Sequence, residues 1–335
     1  MTDKLNLSEV KVEKVIVHKV GNKFRDEGLI LSSAESEHDS SVDSLLIQHF
    51  LLPIIDSENE YLLTHESDIN LNPIKHYSSL VFKDEKEFLT SSLAIAKHLY
   101  ISSDHPNIGG GEFIEVLYSG IKVDDLKIQA IGLFRIESKS SYLDVKKQND
   151  VIDIVEKKGI SIDSIQKGAV VLSSEDTVFI IDSVGKKTKY WVENFIKAVP
   201  KNTVKKYTQI LSSLTKAVSK KIHLPQDFLD FSDALSKEDN LSVNQLKRIS
   251  TAFVENEDFD NIVSSLGIKN SMEIDMDFVV EMQDFSKKIN KTLSKTRISK
   301  GVDIVISESN LKILSIDSQI TDFGLRSIID IQRGG

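Results

Sequence analysis

Apolar residues recur in two rhythms along the chain. Up to about residue 182 they come in short, alternating or β-branched runs of the kind that strands make. Residues 10–20 are the first, ending at Gly21-Asn22, and residues 112–118, 126–137, 151–156, 168–173 and 178–182 repeat the pattern. Only Ser174-Glu175-Asp176-Thr177, a hairpin turn by composition, separates the last two. Two helical runs interrupt the strands. Residues 42–52 (VDSLLIQHFLL) predict a short apolar helix stopped by Pro53, and residues 84–100 place Phe88, Leu93, Ala96 and Leu99 close to helical spacing. The turn-rich stretch HPNIGGG (105–111) then leads into the next strand. Antiparallel-type strands with helices grouped elsewhere predict an α+β fold built on a mixed or antiparallel sheet.

From Lys189 the period becomes helical for over 100 residues. Thr203 is placed to cap a helix reaching about Ile222, with Pro225 just beyond. Its apolar positions are Val204, Tyr207, Leu211, Leu214 and Val218, while Lys205, Lys206, Lys216 and Lys220 project to the opposite side. Residues 278–296 repeat the design, with Phe278, Met282, Phe285, Ile289 and Leu293 set against Lys287, Lys288, Lys291 and Lys295. Strand-like runs return at 302–307, 311–316 and 325–331. The predicted organisation is an α+β domain over 1–184, a largely helical unit over 185–301, and C-terminal strands over 302–335 that pack back on the first domain. Trp191 and Phe195, four apart, are expected to be core aromatics.

Composition adds exclusions. The length of 335 residues suits two domains, and 40% hydrophobic residues suffice for their cores. Zero cysteines exclude disulfides, thiolate zinc sites, iron–sulfur clusters and cysteine nucleophiles. No apolar run approaches the ~20 residues of a membrane helix, and the opening MTDKLNLSEVKVEKV carries no signal-type apolar core. A soluble, cytoplasmic protein without a membrane partner is expected.

The net charge of -9 is unevenly spread. Between Gly185 and Pro225 there are ten lysines (Lys186, Lys187, Lys189, Lys197, Lys201, Lys205, Lys206, Lys216, Lys220, Lys221) and one acid, Glu193. Between Phe285 and Gly301 five lysines and Arg297 occur with no acid, and residues 226–284 between these stretches carry fourteen acids against four bases. Sign segregation of this kind marks an oriented electrostatic surface. Nucleic-acid backbones bind by exchanging condensed counterions for Lys/Arg contacts, so cations without interleaved acids are what such binding needs. The plainer reading is a solvated helix face, although solvated faces usually mix both signs. Those ten lysines, with Lys287, Lys288, Lys291, Lys295 and Arg297, are the candidate nucleic-acid surface. Lysine in place of arginine favours phosphate contact over base reading, and no zinc finger, basic zipper or helix-turn-helix pattern points to sequence-specific recognition.

Other chemistry is less well supported. Gly109–Gly111 lacks both the phosphate-loop and the Rossmann spacing, so it reads as a backbone bend. His105 and Glu112 flank it, and a histidine before proline is more often a capping residue than a metal ligand; no metal or cofactor is expected. Glu137-Ser138-Lys139 at the end of AIGLFRI, with Asp124 and Asp125 upstream, outlines the skeleton of a metal-dependent nuclease. The tripeptide is common, and Glu156-Lys157-Lys158 matches it too, so a polar strand end is the competing explanation. No GxSxG elbow supports hydrolase chemistry.

Seven runs, taken in order, carry a resemblance: VIVHKVGNK (15–23), DEGLILS (26–32), SSLAIAKHLY (91–100), HPNIGGGEFIEVLY (105–118), AIGLFRIESKSSYLDV (130–145), GISIDSIQKGAVVL (159–172) and YWVENFIKAV (190–199). Together they resemble the bacterial nucleoid-associated protein family, in its Bacteroidetes-like branch. The resemblance implies a non-enzymatic, nucleoid-located, DNA-binding protein with a link to type II topoisomerases or another DNA enzyme. It names no contact residue, because the matching runs are mostly apolar. The expectation is therefore non-specific binding of duplex nucleic acid through the lysine-rich helical faces. An E-x-K nuclease and a protein-interaction adaptor are the alternatives. DNA and RNA, or monomer and homodimer, are not distinguished by the pattern.

Overall fold

The computed structural model describes residues 5–124, 126–148, 151–162, 165–182, 190–270, 272–293, 295–299, 302–305 and 311–333. The chain divides into two compact units, Met1–Lys201 and Asn202–Gly335.

The first unit is α+β. Its chain order begins β1 (Lys11–Val20), β2 (Leu29–Ile30), α1 (Ser40–Leu45), α2 (Leu52–Asp56), β3 (Glu60–Leu63), α3 (Pro73–Lys83) and α4 (Phe88–Ser102). It continues with β4 (Gly111–Val123), β5 (Leu126–Ile136), β6 (Ser140–Gln148), β7 (Val151–Gly159), β8 (Lys167–Leu172), β9 (Thr177–Asp182) and β10 (Ala198–Pro200). Eight strands form one antiparallel sheet in the order β10-β3-β9-β8-β5-β4-β1-β2. Both its faces are covered. Ile16, Phe113, Leu117, Ile131, Leu133 and Val178 pack on one side against Ile74, Phe88, Ile95 and Leu99 of α3 and α4, with Trp191 and Phe195. On the other side Val15, Val116, Tyr118, Phe134 and Val170 meet Leu46, Phe50, Leu51 and Ile54. Burial on both faces is why β5 and β8 read as unbroken apolar runs rather than as alternating ones. Trp191 and Phe195 are fully buried, with ring centroids 5.0 Å apart.

The helix expected to stop at Pro53 continues to Asp56. Residues Leu46–Leu51 form a π-helical turn, which resets the hydrogen-bond frame. Pro53 then falls in the first turn of α2, where its missing N–H is not needed.

The second unit contains α5 (Val204–Lys221), α6 (Pro225–Ser236), β11 (Asn240–Leu241), α7 (Val243–Ser250), α8 (Asn256–Asn270), β12 (Val280–Glu281) and α9 (Met282–Leu293). Two hairpins follow, β13 (Lys295–Ser299) with β14 (Val302–Val305) and β15 (Leu311–Thr321) with β16 (Gly324–Arg333). Tyr207, Leu211, Leu214 and Val218 of α5 share a core with Phe231, Leu246, Phe259, Phe285 and Ile289. Thr203 caps α5 as expected, its hydroxyl accepting from the Lys206 N–H at 3.2 Å. Ser242 and Gln245 close a reciprocal capping box on α7.

Three details depart from the sequence expectation. The helix predicted from 278 begins at Met282, because Val280-Glu281 pairs with Asn240-Leu241 and Phe278 stacks on Tyr207 at 4.2 Å before the helix starts. That helix ends at Leu293, and the β-branched stretch holding Lys295 and Arg297 is strand β13. The unit boundary falls at 201/202, and the C-terminal strands group with the helices: the Ile316 N–H on β15 donates to Gln226 Oε1 on α6 at 2.9 Å. Among the described residues no helix is long and apolar enough to cross a membrane.

Candidate nucleic-acid interface

An α-helix advances about 100° per residue, so Lys205, Lys216 and Lys220 fall within about 60° of arc on α5 and span about 22 Å along it. All three are exposed, and Gln209, within the arc, and Ser213, just beside it, are neutral. Directly opposite lie Tyr207, Leu211, Leu214 and Val218, all fully buried. The buried stripe fixes how the helix sits in its unit and so holds the lysine stripe toward solvent. Val204, expected in the apolar stripe, is instead 45% exposed. It shares the packed face in angle but is the first residue of the helix, at the end of the buried stripe.

Lys205 also makes an interaction within the protein, and the remaining candidates stand as follows. Lys206 is half-buried and donates to Asn270 Oδ1 at 2.8 Å, and Lys221 pairs with Asp258 at 2.5 Å. Lys201 is held by Glu60 at 3.2 Å, Glu175 at 3.5 Å and the Thr177 hydroxyl at 3.0 Å, which ties β10 to β3 and β9 rather than leaving a cation for a ligand. Lys197 is half-buried with φ of 55° in the bend before β10. Lys186, Lys187 and Lys189 lie outside the described residues. On α9, Lys287 and Lys288 are exposed, but Asp284 sits between them on the helical wheel and pairs with Lys287 at 3.5 Å. Counting charge from Phe285 misses this acid by one residue. Lys291 lies on α9, and Lys295 and Arg297 lie on β13, off the helical face.

The nuclease skeleton is not assembled. Asp124 precedes β5 and Glu137 follows it, so the length of the strand, on the order of 35 Å, separates them. Asp125 lies outside the described residues. Lys139 pairs with Glu112 at 2.5 Å, and Lys157 of the second E-x-K match pairs with Asp144 at 2.5 Å. Glu137 belongs to a different group: it accepts from the Tyr190 hydroxyl and lies 3.3 Å from Lys167, which is also 3.7 Å from Asp182. Burial, and next the Glu137 charge, push the Tyr190 phenol upward, so it stays protonated and donates. Neighbouring Arg135 is fully buried and donates to the carbonyls of Gly109 at 2.7 Å and Gly111 at 3.1 Å. Burial lowers its pKa while the acids around it oppose that shift.

Arg135 thus clamps the triple glycine onto the end of β5. A Cβ at Gly111 would collide with the Ile136 carbonyl, which is why the bend takes glycine there. Beside it lies a cleft of about 490 Å³ lined by Lys19, Arg25, Glu27 and Glu137 among others, with Arg25 paired to Glu27 at 2.7 Å. Sequence reasoning passed over Arg135 and Lys167. The signal was there, as each is a charge set inside or against a run of buried apolar residues.

A histidine, a serine and an acid also meet in the first unit. Ser32 N–H donates to His18 Nδ1 at 3.1 Å, which leaves Nε2 protonated toward Ser92 Oγ at 2.8 Å. Ser92 in turn donates to Glu115 Oε1 at 2.8 Å. A nucleophilic serine needs the histidine between itself and the acid. Here the serine is in the middle and all three are buried, so the group is a polar tie between β1, α4 and β4.

A scan of protein families matches residues 16–322 to NA37, described as nucleoid-associated protein YejK. No curated protein matches the chain.

Proposed function

This chain belongs to the nucleoid-associated family matched over residues 16–322, and from that footing we propose that it binds duplex DNA without sequence preference through the exposed face of α5. The observation that carries the reading is the stripe of Lys205, Lys216 and Lys220, with no acid in its arc of the helix, held outward by a fully buried opposite face. Three ammonium groups along about 22 Å of helix match a backbone of regularly spaced charge and offer no planar fork for base edges. Lys287 and Lys288 are secondary contributors, weakened by Asp284. The protein acts as a binding protein and not as a catalyst, in keeping with an E-x-K skeleton split across the two ends of β5.

The test is a series of binding isotherms on unrelated duplex DNA sequences at increasing salt. Affinity should be similar across sequences and fall steeply with salt. Reversing Lys205, Lys216 and Lys220 together to Glu should weaken binding to every sequence and flatten the log–log salt slope by about 2.7, at about 0.9 for each phosphate no longer neutralised. The fold should survive, since exposed surface substitutions away from special features change stability by about 0.5 kcal/mol or less. Unchanged affinity in the folded triple variant, and again after reversal of Lys287 and Lys288, would refute the reading. Plasmid nicking with Mg²⁺ that disappears in Glu137→Ala would show that catalysis had been overlooked.

A further inference from the structure

The β6–β7 hairpin has two unlike faces. On one, Asp144 pairs with Lys157 at 2.5 Å and Lys146 at 3.7 Å, beside Tyr142, and Asp153 stands opposite Lys146, so the face is polar. On the other, the register sets Leu143 opposite Glu156, Val145 opposite Ile154 and Lys147 opposite Ile152, with Ser141 and Lys158 in the next row beyond Leu143 and Glu156. Leu143, Val145, Ile152 and Ile154 there are 71%, 61%, 68% and 65% exposed. Among the described residues β6 and β7 pair only with each other. A lone two-stranded ribbon is marginal in water, and four large aliphatics on one face call for a covering layer.

We propose that this face is covered by the same face of a second copy of the chain, giving a two-fold dimer. The charge pattern selects the arrangement. Stacked face to face with strands antiparallel, and with the Val145–Ile154 row at the two-fold axis, the Lys147 row of one hairpin lies over the Leu143–Glu156 row of the other. Lys147 then meets Glu156 of the second copy, and symmetry makes the contact twice. The parallel alternative brings the two Lys147 ammonium groups together at the same end and is disfavoured. Eight aliphatic side chains with their rims remove roughly 1,000 Å² from water, about the threshold for a biological interface and the range of a weak, reversible dimer. The occupant is a second copy because the surface is complementary to itself in both apolar pattern and sign. The inference does not depend on the nucleic-acid reading.

Sedimentation velocity on the full-length wild type should give a concentration-dependent dimer. Val145→Glu with Ile154→Glu should give a monomer with unchanged circular dichroism. Lys147→Glu alone should weaken the dimer at least tenfold, and adding Glu156→Lys should restore it. Because the chain has no cysteine, Val145→Cys supplies a single thiol, and sheets stacked about 10 Å apart place two such thiols within reach of a short bismaleimide. Val145→Cys should crosslink to a dimer, and Lys146→Cys on the opposite face should not. A wild type that stays monomeric at high concentration, or a dimer indifferent to these substitutions, overturns the proposal. So does crosslinking equal at both positions, and this arm stands even if the double Glu variant fails to fold.

Discussion

His18 and Glu115 are bridged by one serine hydroxyl, yet burial pushes them in opposite chemical directions. Desolvation holds the His18 imidazole down to about 4 and raises the Glu115 carboxyl well above the usual range, so both are neutral in the fold. In the unfolded chain a histidine titrates near ~6.5 and a glutamate near ~4.3. Between about pH 4 and 6.5, unfolding therefore takes up a proton at His18, and that contribution makes stability rise with pH. Above about pH 4.5, unfolding releases the Glu115 proton, and that contribution makes stability fall with pH. His98, also lowered by burial, adds to the first trend. The clean quantity is a difference between variants. Urea denaturation across pH should show Glu115→Gln gaining on the wild type by up to about 1.4 kcal/mol per pH unit above pH 4.5. A constant gap between the two curves would mean that Glu115 is ionised in the folded protein.

At the scale of elements, what could be read from sequence was what is local. The Ser174–Thr177 turn between β8 and β9 and the cap, stripe and length of α5 depend on residues a few positions apart, and all are present save Val204's place in the stripe. Thr203→Ala should cost the second unit about 1 kcal/mol, the usual loss for a helix cap. Val204→Ala should change it by less than about 0.5 kcal/mol because nearly half of that residue is in water and alanine is the better helix former. Chemical denaturation of both variants checks the contrast, and equal losses would put Val204 back in the core. The unread features had non-local or unusual causes. Pro53 stops an α-helix but not one whose frame a π turn has just reset. The start of α9 is set by Asn240-Leu241, some forty residues upstream, which claims Val280-Glu281 as a strand. Of the candidate interface, the α5 stripe was legible as a period. The isolation of Lys201 by Glu60 and Glu175 was not, because those acids are brought in by other strands.

At the scale of the whole molecule, the boundary at 201/202 follows from what the first unit needs to close its sheet. Trp191 and Phe195 fill its core, and β10 pairs with β3 through Leu62 and Val199. A fragment ending at residue 184 lacks all of these, whereas one ending at residue 201 keeps them. The longer fragment should unfold cooperatively on heating, and the shorter one should show no cooperative transition. A cooperative 1–184 fragment would mean that the segment around Trp191 is dispensable.

The same sheet order also imposes a timetable on synthesis. β3 leaves the ribosome early, but both of its neighbours, β9 and β10, are made more than a hundred residues later. At translation rates of about 5–20 residues per second, β3 waits for roughly 6 to 25 s with neither edge paired. An unpaired strand edge is a template for any other extended chain nearby. For that interval the nascent first unit depends on dilution or chaperones to stay single, and the exposure ends only when Ala198–Pro200 emerges and docks.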